Sequence, residues 1–237
     1  MGKIWISVYG SGVFRYNPSD GKIKHYSHDI NDEKSLISNL TTKILIDHTG
    51  EVWIATHDQG VCKYDPFTDS FFRIDATDKQ KGYTARYIYA LCEDSFGNIW
   101  IGSQDNGISV LNIENHTLVN YAHDSKDLNS LSSNKVFSIT ETPEGNILVG
   151  TIDGGIDSFD FSTRTFTRNF IPMEGMVFTM VTDSKKNLWI GTDGYGLKCY
   201  REDNRSVETW ICVKQRYIVS WKISKETFGS DYIKREF

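Results

Sequence analysis

A stretch running Gly97-Asn98-Ile99-Trp100-Ile101-Gly102-Ser103-Gln104-Asp105-Asn106-Gly107-Ile108 returns in altered form along the chain, and no other feature restricts the fold as much. With the tryptophan as anchor, the copies fall at Trp5, Trp53, Trp100, Leu148 and Trp189, spaced 48, 47, 48 and 41 residues apart. Periods of this size belong to architectures built from four short strands per repeat. Seven residues past each anchor stands a glycine (Gly12, Gly60, Gly107, Gly155, Gly196), always followed by an apolar residue. Eleven past it come Tyr16, Tyr64, Leu111, Phe159 and Tyr200, and eighteen past it Ile23, Phe71, Leu118, Phe166 and Val207. Asp47, Asp94, Thr142 and Asp183 lie six before the later anchors, and the apolar Ile44, Leu91, Ile139 and Met180 nine before.

A length of 237 residues ordinarily holds one or two domains, but copies of one unit imply a single quasi-symmetric body. Aromatic residues make up 13% of the chain and supply the large apolar groups that fill the space between stacked sheets. A net charge of -5, with no cluster of lysines or arginines, gives no footprint for a phosphate backbone, so nucleic acid is excluded as a partner. No apolar run reaches membrane-spanning length, so no membrane segment is expected in this chain. Met1-Gly2-Lys3-Ile4-Trp5 already reads as part of a repeat, so no signal peptide is expected within this sequence. Cys62, Cys92, Cys199 and Cys212 fall at four different repeat positions without a C-x-x-C pair and read as small buried hydrophobes.

The expected fold is all-β, a β-propeller of four-stranded antiparallel blades with about five blades present. Blade 1 is expected over 2–26 without its first strand, blade 2 over 41–74, blade 3 over 87–121, blade 4 over 136–170 and blade 5 over 177–210. A worn sixth copy is read over 216–234, with Gly229 on the turn glycine and Tyr232-Ile233 on Trp-Ile. Polar loops containing Ser35-Leu36-Ile37-Ser38-Asn39 and Ser130-Leu131-Ser132-Ser133-Asn134 lead into blades 2 and 4. Two readings stay open: a partial propeller, or a five-bladed ring closed by a strand over 216–223.

The motif Asp94-Ser95-Phe96-Gly97-Asn98-Ile99-Trp100-Ile101-Gly102-Ser103, with Gly107-Ile108 and a preceding Ser-Leu-Ser-Ser-Asn loop, resembles the two-component regulator propeller repeat. Leu148 and Lys186 depart from it at single positions. The resemblance implies the periplasmic or extracellular sensor region of a hybrid two-component system or sensor histidine kinase, where propellers have more blades than this chain holds. Neighbouring domains or subunits of a sensor kinase are the implied partners. No kinase segment has a counterpart here.

Catalytic patterns are weak. Gly10-Ser11-Gly12 is not a G-x-S-x-G elbow, and His25, His28, His48, His57, His116 and His123 form no H-x-H or H-E-x-x-H arrangement, so neither a metal nor a cofactor is expected. Asp47, Asp94 and Asp183 recur once per copy, which marks a structural Asp-x-x-Gly turn rather than paired-carboxylate catalysis. Function belongs where the copies differ, on the face shared by the turn past the anchor and the loop between blades. The ligand-binding candidates there are Tyr9, His57, Asp58, Gln104, Asp105, Asp193 and Tyr195, with Arg86 starting an inner strand; Gln59, Asn106, Asp153 and Lys135, which starts another, accompany them. Amides, carboxylates and aromatic rings suit a polar small molecule such as an oligosaccharide. Three functions follow: a non-catalytic sensor module, a streptogramin-lyase-like enzyme with His57 as base, and a structural or protein-binding propeller.

Overall fold

A computed structural model of the chain describes residues 2–75, 85–153 and 155–211. Blade 1 is three-stranded, with β1 (Ile4–Val8), β2 (Gly12–Asn17) and β3 (Lys22–Tyr26). Blade 2 has four strands, β4 (Thr41–Ile46), β5 (Val52–Thr56), β6 (Gly60–Asp65) and β7 (Ser70–Asp75). Blade 3 holds β8 (Ile88–Glu93), β9 (Asn98–Ser103), β10 (Ile108–Asn112) and β11 (Thr117–Tyr121). Blade 4 holds β12 (Val136–Glu141), β13 (Ile147–Thr151), β14 (Ile156–Asp160) and β15 (Thr165–Ile171). Blade 5 holds β16 (Val177–Thr182), β17 (Leu188–Thr192), β18 (Gly196–Arg201) and β19 (Ser206–Ile211). Every sheet is an antiparallel meander and no helix occurs among the described residues, as the repeat pattern requires. The sixth copy over 216–234 and the closing strand over 216–223 lie outside the described residues, as does Cys212.

Blades follow one another in chain order: β1 packs on β4, β4 on β8, β8 on β12 and β12 on β16. Among the described residues no contact of comparable extent joins the fifth blade to the first, so the blades form an arc. The anchor side chains of blades 2 to 4 enter the core of the next blade. Trp53 packs with Ile88, Leu91 and Ile101 of blade 3, and Trp100 with Val136, Ile147 and Phe159 of blade 4. Leu148 does the same against Val177 and Ile190 of blade 5. On the opposite face of the anchor strand, Val52, Ile54 and Thr56 are buried, the first two in a core shared with Val13 and Tyr26 of blade 1. Their counterparts Ile4, Ile6 and Val8 are 50%, 47% and 39% exposed. A methyl buried on a sheet face is lost at full cost only where a neighbour covers it. Ile54→Ala is therefore expected to destabilise by about 2–5 kcal/mol, and Ile6→Ala by under about 0.5 kcal/mol, as read by urea unfolding.

The recurrent aspartate and the anchor are one device. Asp47 Oδ2 accepts a hydrogen bond from Trp53 Nε1 at 2.9 Å, Asp94 Oδ2 from Trp100 Nε1 at 2.8 Å and Asp183 Oδ2 from Trp189 Nε1 at 2.9 Å. The other oxygen caps the turn, Asp94 Oδ1 accepting from the backbone N–H groups of Phe96 and Asn98. Blade 4 has lost both partners together, carrying Thr142 and Leu148. Burial acts to raise the Asp47 and Asp183 carboxyls, but the hydrogen bonds from tryptophan, side chains and turn backbone outweigh it and hold both below the ordinary value of 3.8. A carboxyl that titrates lower in the folded chain contributes stability that is complete above its unfolded value and disappears as pH falls through the folded one. Acid unfolding followed by tryptophan fluorescence is accordingly expected to begin only below about pH 4, with Asp47→Asn flattening that dependence.

Loops between blades are built by the same repeated logic. The Asn134 carbonyl accepts from Gly107 N at 2.9 Å, and the Asn39 carbonyl from Gly12 N at 3.1 Å. His28 and His123 each place Nδ1 2.7 Å from a loop carbonyl, Leu36 and Leu131 respectively. Arg73 and Arg168, from the outer strands of blades 2 and 4, donate to the carbonyls of Ser35 and Ser130 and clamp the loops. Cys62 and Cys199 are buried, whereas Cys92 is partly exposed, so the uniform burial expected of the cysteines holds for two of the three described. Cys62 Sγ accepts from Ile37 N at 3.2 Å, holding the loop as well as filling the core.

Candidate functional site

Each inner strand leaves its register by one residue close to its start. The skipped positions are Thr42 in β4, Tyr89 in β8, Phe137 in β12 and Phe178 in β16. A β-bulge leaves one residue unpaired and re-aims its side chain. Here the bulge sits eleven residues before each anchor, and three of the four residues are aromatic. Their rings meet along the inner edge of the arc, Tyr89 against Phe137 at 4.6 Å and Phe137 against Phe178 at 5.7 Å.

The turn residues join this row at its blade 1 end. His57 lies 5.3 Å from Tyr87, 5.7 Å from Tyr89 and 5.9 Å from Tyr9, edge-on to all three. Its position is set by its backbone, His57 N donating to the Leu40 carbonyl at 2.7 Å. The equivalent bonds run from Gln104 N to Tyr87 O and from Asp193 N to Met176 O, and they fix the turns of blades 3 and 5 to the starts of their own inner strands. The result is a continuous series, Tyr9, His57, Tyr87, Tyr89, Phe137 and Phe178, running across all five blades.

In the turn that carries His57, Asp58 Oδ1 is shielded from solvent and accepts no hydrogen bond within the described structure. A buried carboxylate oxygen without a donor costs free energy until a donor arrives. The hydroxyl or amide of a polar ligand would supply one.

The structure thus brings Tyr9 and His57 together, with Asp58 next to His57 in the chain and Gln104 tied through its backbone N–H to Tyr87, and leaves the others apart. Arg86 is exposed two residues ahead of β8 instead of starting it, and Asp105 is exposed in its turn. Tyr195 packs beside Gly175, with Lys198 Nζ 5.9 Å from its ring centre, at the far end of the arc. Asp153 accepts from Ser133 Oγ at 2.6 Å, and Gln59 N and Asn106 N donate to Thr56 Oγ1 and Ser103 Oγ, which are turn-building roles. Lys135 lies directly before β12, and its carbonyl accepts from Ile152 N. Sequence reasoning missed Tyr87, Tyr89, Phe137 and Phe178. For Tyr89, Phe137 and Phe178 the signal was present in the position eleven before the anchor, but its meaning depends on a bulge that no residue type announces.

Neither ring nitrogen of His57 makes a hydrogen bond within the described structure, so no side chain orients it as a general base. No group of three or more histidine, cysteine or acidic side chains is gathered at metal-binding distance among the described residues.

A run of antiparallel blades with an aromatic inner edge defines a β-propeller segment. Residues 82–105, 130–153 and 173–194 match the family model described as the two component regulator propeller. Its fold is similar to the extracellular domain of the hybrid two component system BT3049 from B. thetaiotaomicron, with a TM-score of 0.74 and 23% identity over 87% of this chain and 26% of that one. It is also similar to the extracellular domain of the one component system BT4673 from the same organism, with a TM-score of 0.70 and 24% identity over 87% of this chain and 29% of that one. The chain therefore spans less than a third of either relative. Virginiamycin B lyase from Staphylococcus aureus shares the fold at a TM-score of 0.65 and 16% identity, over 87% of this chain and 65% of the lyase. No curated protein matches the chain. Two of these relatives are extracellular domains, and no described helix is long and apolar enough to cross a membrane.

Proposed function

We propose that this chain is a ligand-sensing propeller segment of a two-component receptor, facing the periplasm or cell exterior, and that it binds a polar small molecule of the oligosaccharide class on its inner edge. The observation that carries this reading is the aromatic row from Tyr9 to Phe178, with the donor-less Asp58 oxygen in the turn that carries His57. Aromatic faces take the C–H faces of a sugar ring, and a carboxylate oxygen takes its hydroxyl protons. Because the row crosses blade boundaries, a ligand lying along it touches several blades at once. Signalling through neighbouring domains then needs only that the ligand prefer one blade arrangement over another.

The repeats, shared with sensor regions, favour sensing over turnover, and the unoriented His57 imidazole points the same way. Thermal unfolding against a panel of oligosaccharides tests the proposal: a binding sugar raises the midpoint in proportion to its saturation. Tyr89→Ala is expected to weaken that binding about tenfold without altering the unliganded midpoint by more than a few degrees. A ligand-insensitive midpoint across the panel, or one raised equally in Tyr89→Ala, contradicts the assignment. Conversion of a streptogramin substrate, abolished by His57→Ala, would replace it with the lyase reading.

A further inference from the structure

The outer grooves between blades carry a second pattern, seen by comparing the residue opposite each anchor across its strand pair. Trp5 faces Arg15, Trp53 faces Lys63, Trp100 faces Val110, Leu148 faces Ser158 and Trp189 faces Cys199. In the groove between blades 1 and 2 the guanidinium of Arg15 sits 5.7, 5.4 and 5.5 Å from the ring centres of Trp5, Tyr26 and Tyr64. Its charge is answered by Asp69 at 3.1 Å, which also accepts from Tyr26 Oη and Tyr64 Oη and pairs with Lys24. Between blades 2 and 3, Lys63 lies over Trp53 and pairs with Glu51 at 2.8 Å. Both grooves are filled from within, each by a cation with its own carboxylate.

The groove between blades 3 and 4 keeps the cage and loses the occupant. Trp100, Tyr121 and Phe159 repeat the arrangement of Trp5, Tyr26 and Tyr64: the stacked pair is at 6.2 Å against 5.7 Å, and the edge-on pair at 5.0 Å against 4.8 Å. Four polar members of the internal cluster are replaced, Arg15 by Val110, Lys24 by Val119, Tyr64 by Phe159 and Asp69 by Arg164. Asp69 and Arg164 occupy the same turn position with the same left-handed backbone, φ 54° and 56°. What remains is an open groove of about 440 Å³, within the usual size range of small-molecule sites. Phe96, 67% exposed, and Phe161 extend its aromatic wall. The Arg164 guanidinium lines it and makes no hydrogen bond or ion pair within the described structure.

We propose that this groove is a second binding site, separate from the inner edge, for a small carboxylate borne on a six-membered ring, either a uronic acid or an aromatic acid. Phe96, Phe161 and Tyr121 supply the accessible aromatic surface for the ring, backed by the buried Trp100 and Phe159, and Arg164 supplies a forked donor at the turn position where the internal cluster places its carboxylate. An organic cation is disfavoured. Arg164 repels it, and the nearby Asp94 carboxylate is already engaged by Trp100, Asn98 and Phe96.

Titration calorimetry of the full chain with glucuronate, benzoate and neutral glucose tests this. Saturable binding of either carboxylate is expected, with glucose at least about tenfold weaker. Glucuronate alone would assign a sugar acid, and benzoate alone an aromatic acid. Arg164→Gln, at an exposed position, is expected to lower the affinity at least about tenfold. The double variant Val110→Arg with Arg164→Asp restores the internal cation and carboxylate of the groove between blades 1 and 2 and should abolish binding while the chain stays folded. Tyr89→Ala should leave it unchanged, so failure here and failure of the inner-edge site are told apart. Absence of carboxylate saturation, equal binding of glucose, or full affinity in Arg164→Gln overturns the proposal.

Discussion

Trp100→Ala is expected to lower the unfolding free energy by about 3–5 kcal/mol, the largest effect of any substitution away from glycine. The indole is 1% exposed and wedged between the sheets of blades 3 and 4, against Val136, Ile147 and Phe159. Its removal opens a cavity between two blades and also strips Asp94 Oδ2 of its indole donor in a buried position. The second term can be separated, because blade 4 shows what the repeat tolerates when both partners go: Thr142 with Leu148. In an Asp94→Thr background, Trp100→Leu should cost about 1–3 kcal/mol less than it does alone. A double-mutant cycle by urea unfolding reads that coupling. Additive losses would mean that the indole–carboxylate bond is incidental to packing.

Gly107→Ala is expected to cost about 2–5 kcal/mol, from one added methyl. Gly107 has φ 74°, a left-handed backbone that side chains resist, and a Cβ there would overlap the Tyr121 carbonyl oxygen and meet Leu131 Cδ1 at 3.1 Å. Relief requires moving either the outer strand of its own blade or the loop that carries Asn134 into the next. Gly10 is the control: its φ is 82°, but its Cβ would meet nothing, so Gly10→Ala should cost only about 1 kcal/mol of backbone strain. Comparable losses at the two positions would show that strain alone, and not the close packing of turn on loop, requires the glycine.

These two positions also show why so much of the fold is legible in the chain. A glycine seven residues past the anchor and an aspartate six before it are local devices, each fixed by a turn within its own blade, and repetition lets one copy interpret the next. The Asp-x-x-Gly turn could be read this way before any distance was known, although the indole as its further donor could not. The site was less legible because it is assembled between copies. Tyr9 and His57 come from adjacent blades, and Tyr89 and Phe137 reach the inner edge only because β8 and β12 each skip a residue. Arg86, Asp105, Asp193 and Tyr195 share the polar character of binding residues, but the arc sets them along its length without bringing them together. The rim groove was hidden for another reason: Val110 is an ordinary strand residue until it is set against Arg15 and Lys63 at the same register position.

Fluorine NMR of the chain labelled with fluorotyrosine tests the central assignment, because tyrosines mark both proposed surfaces. Tyr9, Tyr87 and Tyr89 lie on the inner edge, Tyr121 in the rim groove, and Tyr64 in the filled groove between blades 1 and 2. On titration with an oligosaccharide that raises the unfolding midpoint, the resonances of Tyr9, Tyr87 and Tyr89 should move together and saturate at one ligand concentration, with Tyr64 unchanged. Movement of Tyr121 with those three silent would contradict the inner-edge site and place sugar recognition on the rim.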